Sequence, residues 1–98
     1  MITRLVKLTF DPNEVETFKA VFEASKEKIR AFPGCEHLEL LNGRDQSNIF
    51  FTYSRWQSEA DLENYWHSEL FKTTWAQTNP LFIARAEAWS TDQLALLP

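Results

Sequence analysis

The segment ENYWHSELFKTTW, residues 63–75, surrounds one histidine with aromatic side chains. Tyr65 carries a phenol that can donate a hydrogen bond, and His67 carries an imidazole, a side chain suited to proton transfer near neutral pH. Phe71 and Trp75 add planar apolar surface. Together these residue types suit a pocket where a small aromatic molecule binds and loses a proton. They are equally typical of an ordinary hydrophobic core.

The spacing of the apolar residues predicts a break inside this segment. On one straight helix Leu62 and Trp66 would share a face, whereas Phe71 and Trp75 would lie almost opposite. One helix cannot bury both pairs against the same sheet. Ser68 is a good N-cap residue, so we expect it to begin a second helical piece.

A bent helix lifts away from the sheet and leaves a cavity beneath it. An apolar cavity with few polar groups is the usual form of a small-molecule site. We therefore expect Tyr65 and Trp75 to border a cavity together with Trp56. The residues expected to seal the helix to the sheet are Leu62, Trp66 and Leu70. The remaining large rings, expected in the core or the cavity wall, are Phe71 and Trp89.

Three of the candidate residues also have purely structural interpretations. Trp56 either stacks on a planar substrate or anchors a strand end, since tryptophan buries a large area wherever it lies. Tyr65 either donates a hydrogen bond to a phenolate oxygen or is a core ring whose hydroxyl is in water. His67 should lie at a helix end, where histidine is often only a favourable partner of the helix dipole. That structural interpretation is the better one for His67.

The rest of the chain predicts the element order β-α-β-β-α-β. Asp11-Pro12 suits the start of a long amphipathic helix, Pro33-Gly34 suits its end, and Ser58 suits the start of the second helix. The predicted strands, from alternating apolar residues, are 2–10, 35–42, 48–56 and 82–90. This order predicts one ferredoxin-like α+β domain over residues 1–98, with an antiparallel sheet and both helices on one face.

Composition narrows the function classes. The 98 residues carry a net charge of −4 without a Lys/Arg cluster, which argues against nucleic acid or an anionic membrane as partner. No apolar run approaches the roughly 20 residues of a membrane span. The alternating N-terminus lacks the apolar core of a signal peptide, so we predict a cytoplasmic protein. Gly34 and Gly43 stand alone, so no nucleotide-binding motif exists and no cofactor is expected.

The single cysteine does not indicate a metal centre. Cys35, His37 and Glu39 alternate along one strand and should share a face, but they are too spread out for a compact site. No metal is therefore expected.

The predicted strand 48–56 has apolar side chains on both faces. Phe50 and Trp56 point one way, while Ile49, Phe51 and Tyr53 point the other. Because only one face packs against the helices, we expect a second copy to cover the other face, giving a homodimer. The alternative is that polar neighbours make that face tolerate water. These neighbours are Tyr53 itself with Arg55, Arg85 and Lys7.

Several stretches resemble the antibiotic biosynthesis monooxygenase (ABM) domain superfamily. They are FPGC after the first helix, YSRWQSEADLENYWHSELF, and the final strand. The firmest local match is Trp56-Gln57-Ser58, followed by Leu62 and Ser68. The resemblance implies a dimeric α+β barrel. It also implies either cofactor-free oxygenation of aromatic compounds such as hydroquinones or another role for the fold.

The chain departs from the family pattern at its polar positions. Many members carry histidine where this chain has Tyr65, and often another where it has Leu70; His67 is out of register with both. Antibiotic-biosynthesis members place an asparagine and a tyrosine near the substrate. Those positions correspond to Thr52 and Leu62.

Two family features bear on ligand choice. The strand-end tryptophan near the substrate is retained as Trp56. Haem-degrading members use an axial histidine where this chain has Trp75, so the resemblance implies no haem ligation.

Two functions stay open. The first is a cofactor-independent monooxygenase of a small aromatic or quinol-type substrate and dioxygen. It would use Tyr65 and His67 as catalytic residues and Trp56, Thr52 and Trp75 for binding. Such a reaction needs little besides geometry, because a deprotonated substrate can itself pass an electron to dioxygen. The second is a non-catalytic dimeric module that binds a small hydrophobic ligand or protects against reactive compounds.

Overall fold

The computed structural model describes residues 1–98 and contains one four-stranded antiparallel sheet. The strands are β1 (Ile2–Thr9), β2 (Cys35–Asn42), β3 (Ile49–Trp56) and β4 (Glu87–Asp92), in the order β2-β3-β1-β4. The helices are α1 (Val15–Arg30), α2 (Glu59–Trp66) and α3 (Glu69–Thr78), and they cover one face of the sheet. The predicted ferredoxin-like α+β fold is confirmed. No helix is long and apolar enough to cross a membrane.

Helix α1 begins and ends at the predicted signals. Asp11 accepts a hydrogen bond from the Asn13 N–H at 2.9 Å, and a short 3-10 turn over Pro12–Glu14 leads into the helix. At the other end Gly34 has φ +89, a backbone conformation that glycine adopts without strain. A Cβ at Gly34 would also collide with the side chain of Asp61. This glycine therefore lets the first helix end close to the start of α2.

The inner face of the sheet carries two buried clusters with a gap between them. The first cluster contains Leu8, Phe10, Phe18, Phe50 and Leu81, and the second contains Cys35, Trp56 and Leu62. Strand β3 joins them, since Phe50 and Trp56 lie six positions apart on its inner face. Between them the inward residues of β3 are Thr52 and Ser54, which are too small to fill the space. The core is thus divided along the strand.

The predicted helix break lies where the ring spacing placed it. Helix α2 ends at Trp66, with His67 as its C-cap, and α3 begins after Ser68. The Ser68 hydroxyl accepts a hydrogen bond from the Phe71 N–H at 3.1 Å and donates one to the Tyr65 carbonyl at 2.6 Å. One side chain therefore closes the first helical piece and caps the second.

The last strand was predicted in the wrong place. Residues 82–90 were expected to be extended, but β4 runs over Glu87–Asp92, and Phe82 only bridges to Phe10. Lys7 pairs with Glu87, so four residues (83–86) oppose two of β1 (8 and 9) between these pairings. This is a bulge with two extra residues. Because the number of extra residues is even, the inward and outward side chains still alternate on both sides of the bulge. The apolar periodicity of the sequence therefore gives no sign of the bulge.

Two apolar residues lie elsewhere than expected. Trp89 was expected in the core or the cavity wall, but it pairs with Leu5 on the outer face and is 48% exposed. Leu70 is only half-buried and belongs to neither core cluster. On β3, Ile49, Phe51 and Tyr53 do face away from the helices, opposite buried Phe50 and Trp56.

Candidate functional site

A cavity of about 490 Å³ lies between the helices and the inner face of the sheet, in the gap between the two core clusters. Its volume is within the range of about 300–1,000 Å³ that is common for small-molecule sites. Of its 19 lining residues 14 are hydrophobic, so the cavity favours an apolar or aromatic occupant. Ala88 on β4 lines it and is exposed, so the cavity opens to solvent along that strand.

Stacked and edge-on rings form one wall of the cavity. Tyr65 stacks on Trp56 with ring centroids 5.1 Å apart, and its edge meets Phe71 at 5.3 Å. Phe71 in turn stacks on Trp75 at 5.9 Å. The helix break brings these rings together, since Tyr65 comes from α2 while Phe71 and Trp75 come from α3. A planar ligand would find aromatic surface along the whole wall.

Trp56 is held rigidly at the end of this wall. It is 1% exposed, and its indole N–H donates to the Ser54 hydroxyl at 3.0 Å. Phe32 meets its ring edge-on at 6.3 Å. Trp56 therefore anchors the strand end, and it reaches the cavity with only a small part of its ring.

Tyr65 is the phenol of the site. Burial, with a smaller contribution from Cys35, raises the pKa of Tyr65 to about 12. The phenol is protonated at neutral pH, so it can donate a hydrogen bond to a ligand but is not a base there. Its hydroxyl makes no hydrogen bond to another protein group, so the donor is free to serve a ligand.

The remaining polar lining consists of one cation and a few hydroxyls. These residues are Arg4, Thr52, Ser54, Thr74 and Thr78. The Thr78 hydroxyl is already used, since it donates to the Thr74 carbonyl at 2.8 Å. No histidine, aspartate or glutamate lines the cavity.

The structure brings four of the five predicted site residues together. Tyr65, Trp56, Thr52 and Trp75 all line the cavity. His67 does not line it, because it occupies the C-cap of α2 with its side chain exposed. Its position fits the structural interpretation better than the catalytic one.

Trp66 has two roles that were predicted for different residues: it seals the helix to the sheet and it borders the cavity. It packs against the second core cluster, as a sealing residue should, and it also lines the cavity. It is only half-buried, and the Arg4 guanidinium lies over its ring, 4.8 Å from the centroid. Trp66 is therefore part of the wall near the open side.

Sequence reasoning missed Arg4 as a site residue. Arg4 lies two and four positions before Val6 and Leu8 in β1, so the three side chains lie on the same face of the strand and line the cavity together. A charged residue at an inward-facing position of an alternating strand was the available signal.

The Cys35 region does not have the arrangement expected from sequence. An irregularity of β2 between Cys35 and His37 puts the two on opposite faces of the sheet. Cys35 is buried under the helices, where burial raises the pKa of its thiol, while His37 pairs with Glu39 at 2.7 Å on the outer side. No group of three or more potential metal ligands occurs in the structure.

The family model described as antibiotic biosynthesis monooxygenase matches residues 1–77. The chain belongs to this family. The matched range contains every ring of the cavity wall and ends before β4. No curated protein matches the chain at a significant level of sequence similarity.

Solved structures of similar fold extend the ABM likeness over nearly the whole chain. A crystal structure of an antibiotic biosynthesis monooxygenase has a TM-score of 0.91 at 17% identity, covering 97% of this chain and 100% of the other. A Mycobacterium tuberculosis protein has a TM-score of 0.90 at 18% identity, covering 99% and 98%. A Pseudomonas aeruginosa protein has a TM-score of 0.85 at 23% identity, covering 96% and 94%. At these identities the likeness shows the ABM fold alone.

Proposed function

We propose that the protein is a cofactor-independent monooxygenase of a small aromatic or quinol-type substrate. The observation that carries the proposal is a protonated, unpartnered phenol, Tyr65, inside an aromatic cavity. Membership of the ABM family supports it. We also propose, from the sequence, that the protein is cytoplasmic.

The reaction needs a substrate that can lose a proton and then an electron. A bound phenol or hydroquinone becomes a phenolate, and the phenolate gives one electron to dioxygen. The resulting superoxide and substrate radical combine at a ring carbon. The peroxide then loses water to leave a carbonyl, so one oxygen atom enters the product and the other leaves in water.

The lining residues would act on the first of these steps. Tyr65 donates a hydrogen bond to the forming phenolate oxygen and so favours loss of the proton. Trp75 holds the ring flat, Trp56 closes the end of the wall, and Thr52 offers a hydroxyl on the sheet side. Because no histidine or carboxylate lines the cavity, the proton would pass to solvent that enters through the opening along β4. His67 has no part in this scheme, since it lies outside the cavity.

Oxygen uptake with a panel of naphthols and hydroquinones tests the proposal. Wild type should consume oxygen faster than the spontaneous reaction, and ¹⁸O₂ should place one labelled atom in the product. Tyr65→Phe should lower kcat/KM by about tenfold or more, as expected for loss of a hydrogen bond to a charged group. Tyr53→Phe, which changes the other tyrosine on the opposite face of the sheet, should have little effect. Uptake no faster than the spontaneous reaction for every compound would contradict catalysis.

A non-catalytic binding module is the second candidate, favoured by the absence of any side-chain base in the cavity lining. This alternative would bind the same aromatic compounds without turnover. Calorimetric binding of a naphthol that is never consumed would support it against the oxygenase.

We also propose that the protein works as a homodimer through the outer face of its sheet. That face exposes Trp89 (48%) and Leu41 (46%) beside half-buried Leu5 and Phe51. A second copy laid on it would bury these side chains. Light scattering should give twice the mass of the chain, and Phe51→Glu should give monomers. Monomer mass for wild type at micromolar concentration would contradict the dimer.

A further inference from the structure

Arg4 is the only charged side chain that lines the cavity. No carboxylate lies within 4.0 Å of its guanidinium, since none of the ion pairs in the structure involves it. Within the protein one donor is used, from Nη1 to the Ser90 hydroxyl at 3.0 Å. The guanidinium carbon lies over the ring of Trp66, 4.8 Å from its centroid.

This arrangement leaves a cation without a counter-ion at the edge of an apolar cavity. A guanidinium has five N–H donors in a planar fork that matches a carboxylate, and most of them remain unused here. Arg4 is half-buried, and even partial removal of an unpaired cation from water costs free energy. In agreement, burial lowers the pKa of Arg4. An anion at this position would offset the cost.

The two acidic side chains that border Trp66 do not fill that role. Glu59 and Asp92 line a separate, smaller groove of about 180 Å³, which borders the same Trp66. Neither forms an ion pair with Arg4. Strand pairing instead places Arg4 between Ser54 and Ser90. Ser54 holds the Trp56 indole and Ser90 accepts from Arg4, so the cation has fixed neighbours on both sides.

We infer that the cavity selects aromatic compounds that carry a carboxylate or a comparable anionic group, with Arg4 as the residue that binds the anion. This inference rests on the proposed function only in that the aromatic part occupies the cavity. With the anion held near β4, the ring extends inward along Trp56 and Tyr65. Ser90 acts as a positioning residue, because its hydroxyl fixes one arm of the guanidinium.

Calorimetric titration with 2-naphthoate and with neutral 2-naphthamide tests the inference, because the two compounds differ mainly in charge. Wild type should bind naphthoate about tenfold more tightly, as expected for charge-assisted hydrogen bonds to one group. Arg4→Met should remove this preference by weakening naphthoate alone. Arg4→Lys should retain part of it, since a lysine keeps the charge but not the planar fork.

Two further measurements keep the test decisive if Arg4→Met does not fold. Raising the salt concentration from about 50 mM to about 500 mM should weaken naphthoate binding to wild type and leave naphthamide unchanged. Ser90→Ala should weaken naphthoate by about twofold to threefold, without an effect on naphthamide.

The outcomes separate this inference from the proposed function. Equal, salt-independent affinities of wild type for both compounds would overturn the role of Arg4 and leave the aromatic cavity in place. Failure of both compounds to bind would overturn the cavity as an aromatic site and the inference with it. Tighter binding of naphthoate than of naphthamide, without oxygen uptake on any naphthol, hydroquinone or hydroxynaphthoate, would support the inference and refute the oxygenase.

Discussion

Tyr65→Phe should abolish a loss of stability that wild type undergoes at high pH. Burial raises the pKa of Tyr65 from the ordinary tyrosine value of 10.0 to about 12 in the folded state. Above pH 10 the unfolded chain therefore releases a proton that the folded protein still holds. Stability from this residue is fully present below pH 10 and is lost as the pH rises through 12. Phenylalanine keeps the ring but has no proton to release.

The size of the effect follows from the two pKa values. A difference of about two units, at 1.36 kcal/mol per unit, corresponds to about 3 kcal/mol. This is a large share of the roughly 5–15 kcal/mol that stabilises a typical domain. The hydroxyl makes no hydrogen bond to the protein, so Tyr65→Phe should cost little stability at neutral pH.

Urea unfolding followed by tryptophan fluorescence, at intervals from pH 8 to about pH 12, measures the effect. Lysines and other groups also titrate in this range, but they do so equally in both proteins. The difference in free energy of unfolding between wild type and Tyr65→Phe therefore isolates Tyr65. Tyr53→Phe is the matched control, because it removes the other phenol and should retain the wild-type loss.

If the free energy of unfolding changed with pH in the same way for wild type and Tyr65→Phe, the reasoning would be refuted. Such a result would mean that the folded protein stabilises the Tyr65 phenolate as well as water does in the unfolded chain. It would also remove the argument that this phenol is kept protonated for a ligand.

Three further outcomes are expected. Ser68→Ala should lower the free energy of unfolding by about 1 kcal/mol in urea titrations, as loss of an N-cap does. Ser58→Ala, which removes the N-cap of α2, should have an effect of the same size. An unchanged free energy of unfolding in Ser68→Ala would mean that the helix break does not depend on its cap. Trp56→Ala should cost about 3–5 kcal/mol because the ring is fully buried, whereas half-buried Trp66→Ala should cost clearly less; the reverse order would contradict the assignment of core and wall. Titration with haem should leave its Soret band unshifted, since Trp75 offers no lone pair suited to iron; a stoichiometric shift would contradict this.

The helix break could be predicted because two local signals agreed. The rings of residues 62–75 could not all face one sheet from a straight helix, and Ser68 supplied a cap at the position where a break resolves the conflict. The cavity wall followed from the same geometry. Where local pattern and capping chemistry point to one answer, the sequence is informative.

Other features depend on pairing between distant segments, which local pattern does not contain. The bulge before β4 adds two residues and therefore leaves the alternation unchanged. The irregularity between Cys35 and His37 sends two residues of equal parity to opposite faces. Arg4 alternates with Val6 and Leu8, so its inward position could be read from the sequence. Whether a carboxylate would pair with it depended on the positions of β4 and α2, which the sequence does not show.

Small side chains on and beside an edge strand contribute to the volume of the cavity. Ala88 on β4 and Ala86, in the bulge just before it, face the space that large rings enclose elsewhere, and β4 pairs only with β1. No residue of β4 is fully buried, so this strand can change its side chains without repacking either core cluster. One exchange at Ala88 would narrow the entrance while leaving the fold intact. The edge strand thus carries cavity-lining residues that do not belong to the buried core, which would allow proteins with this architecture to diverge in substrate through a few changes at one edge.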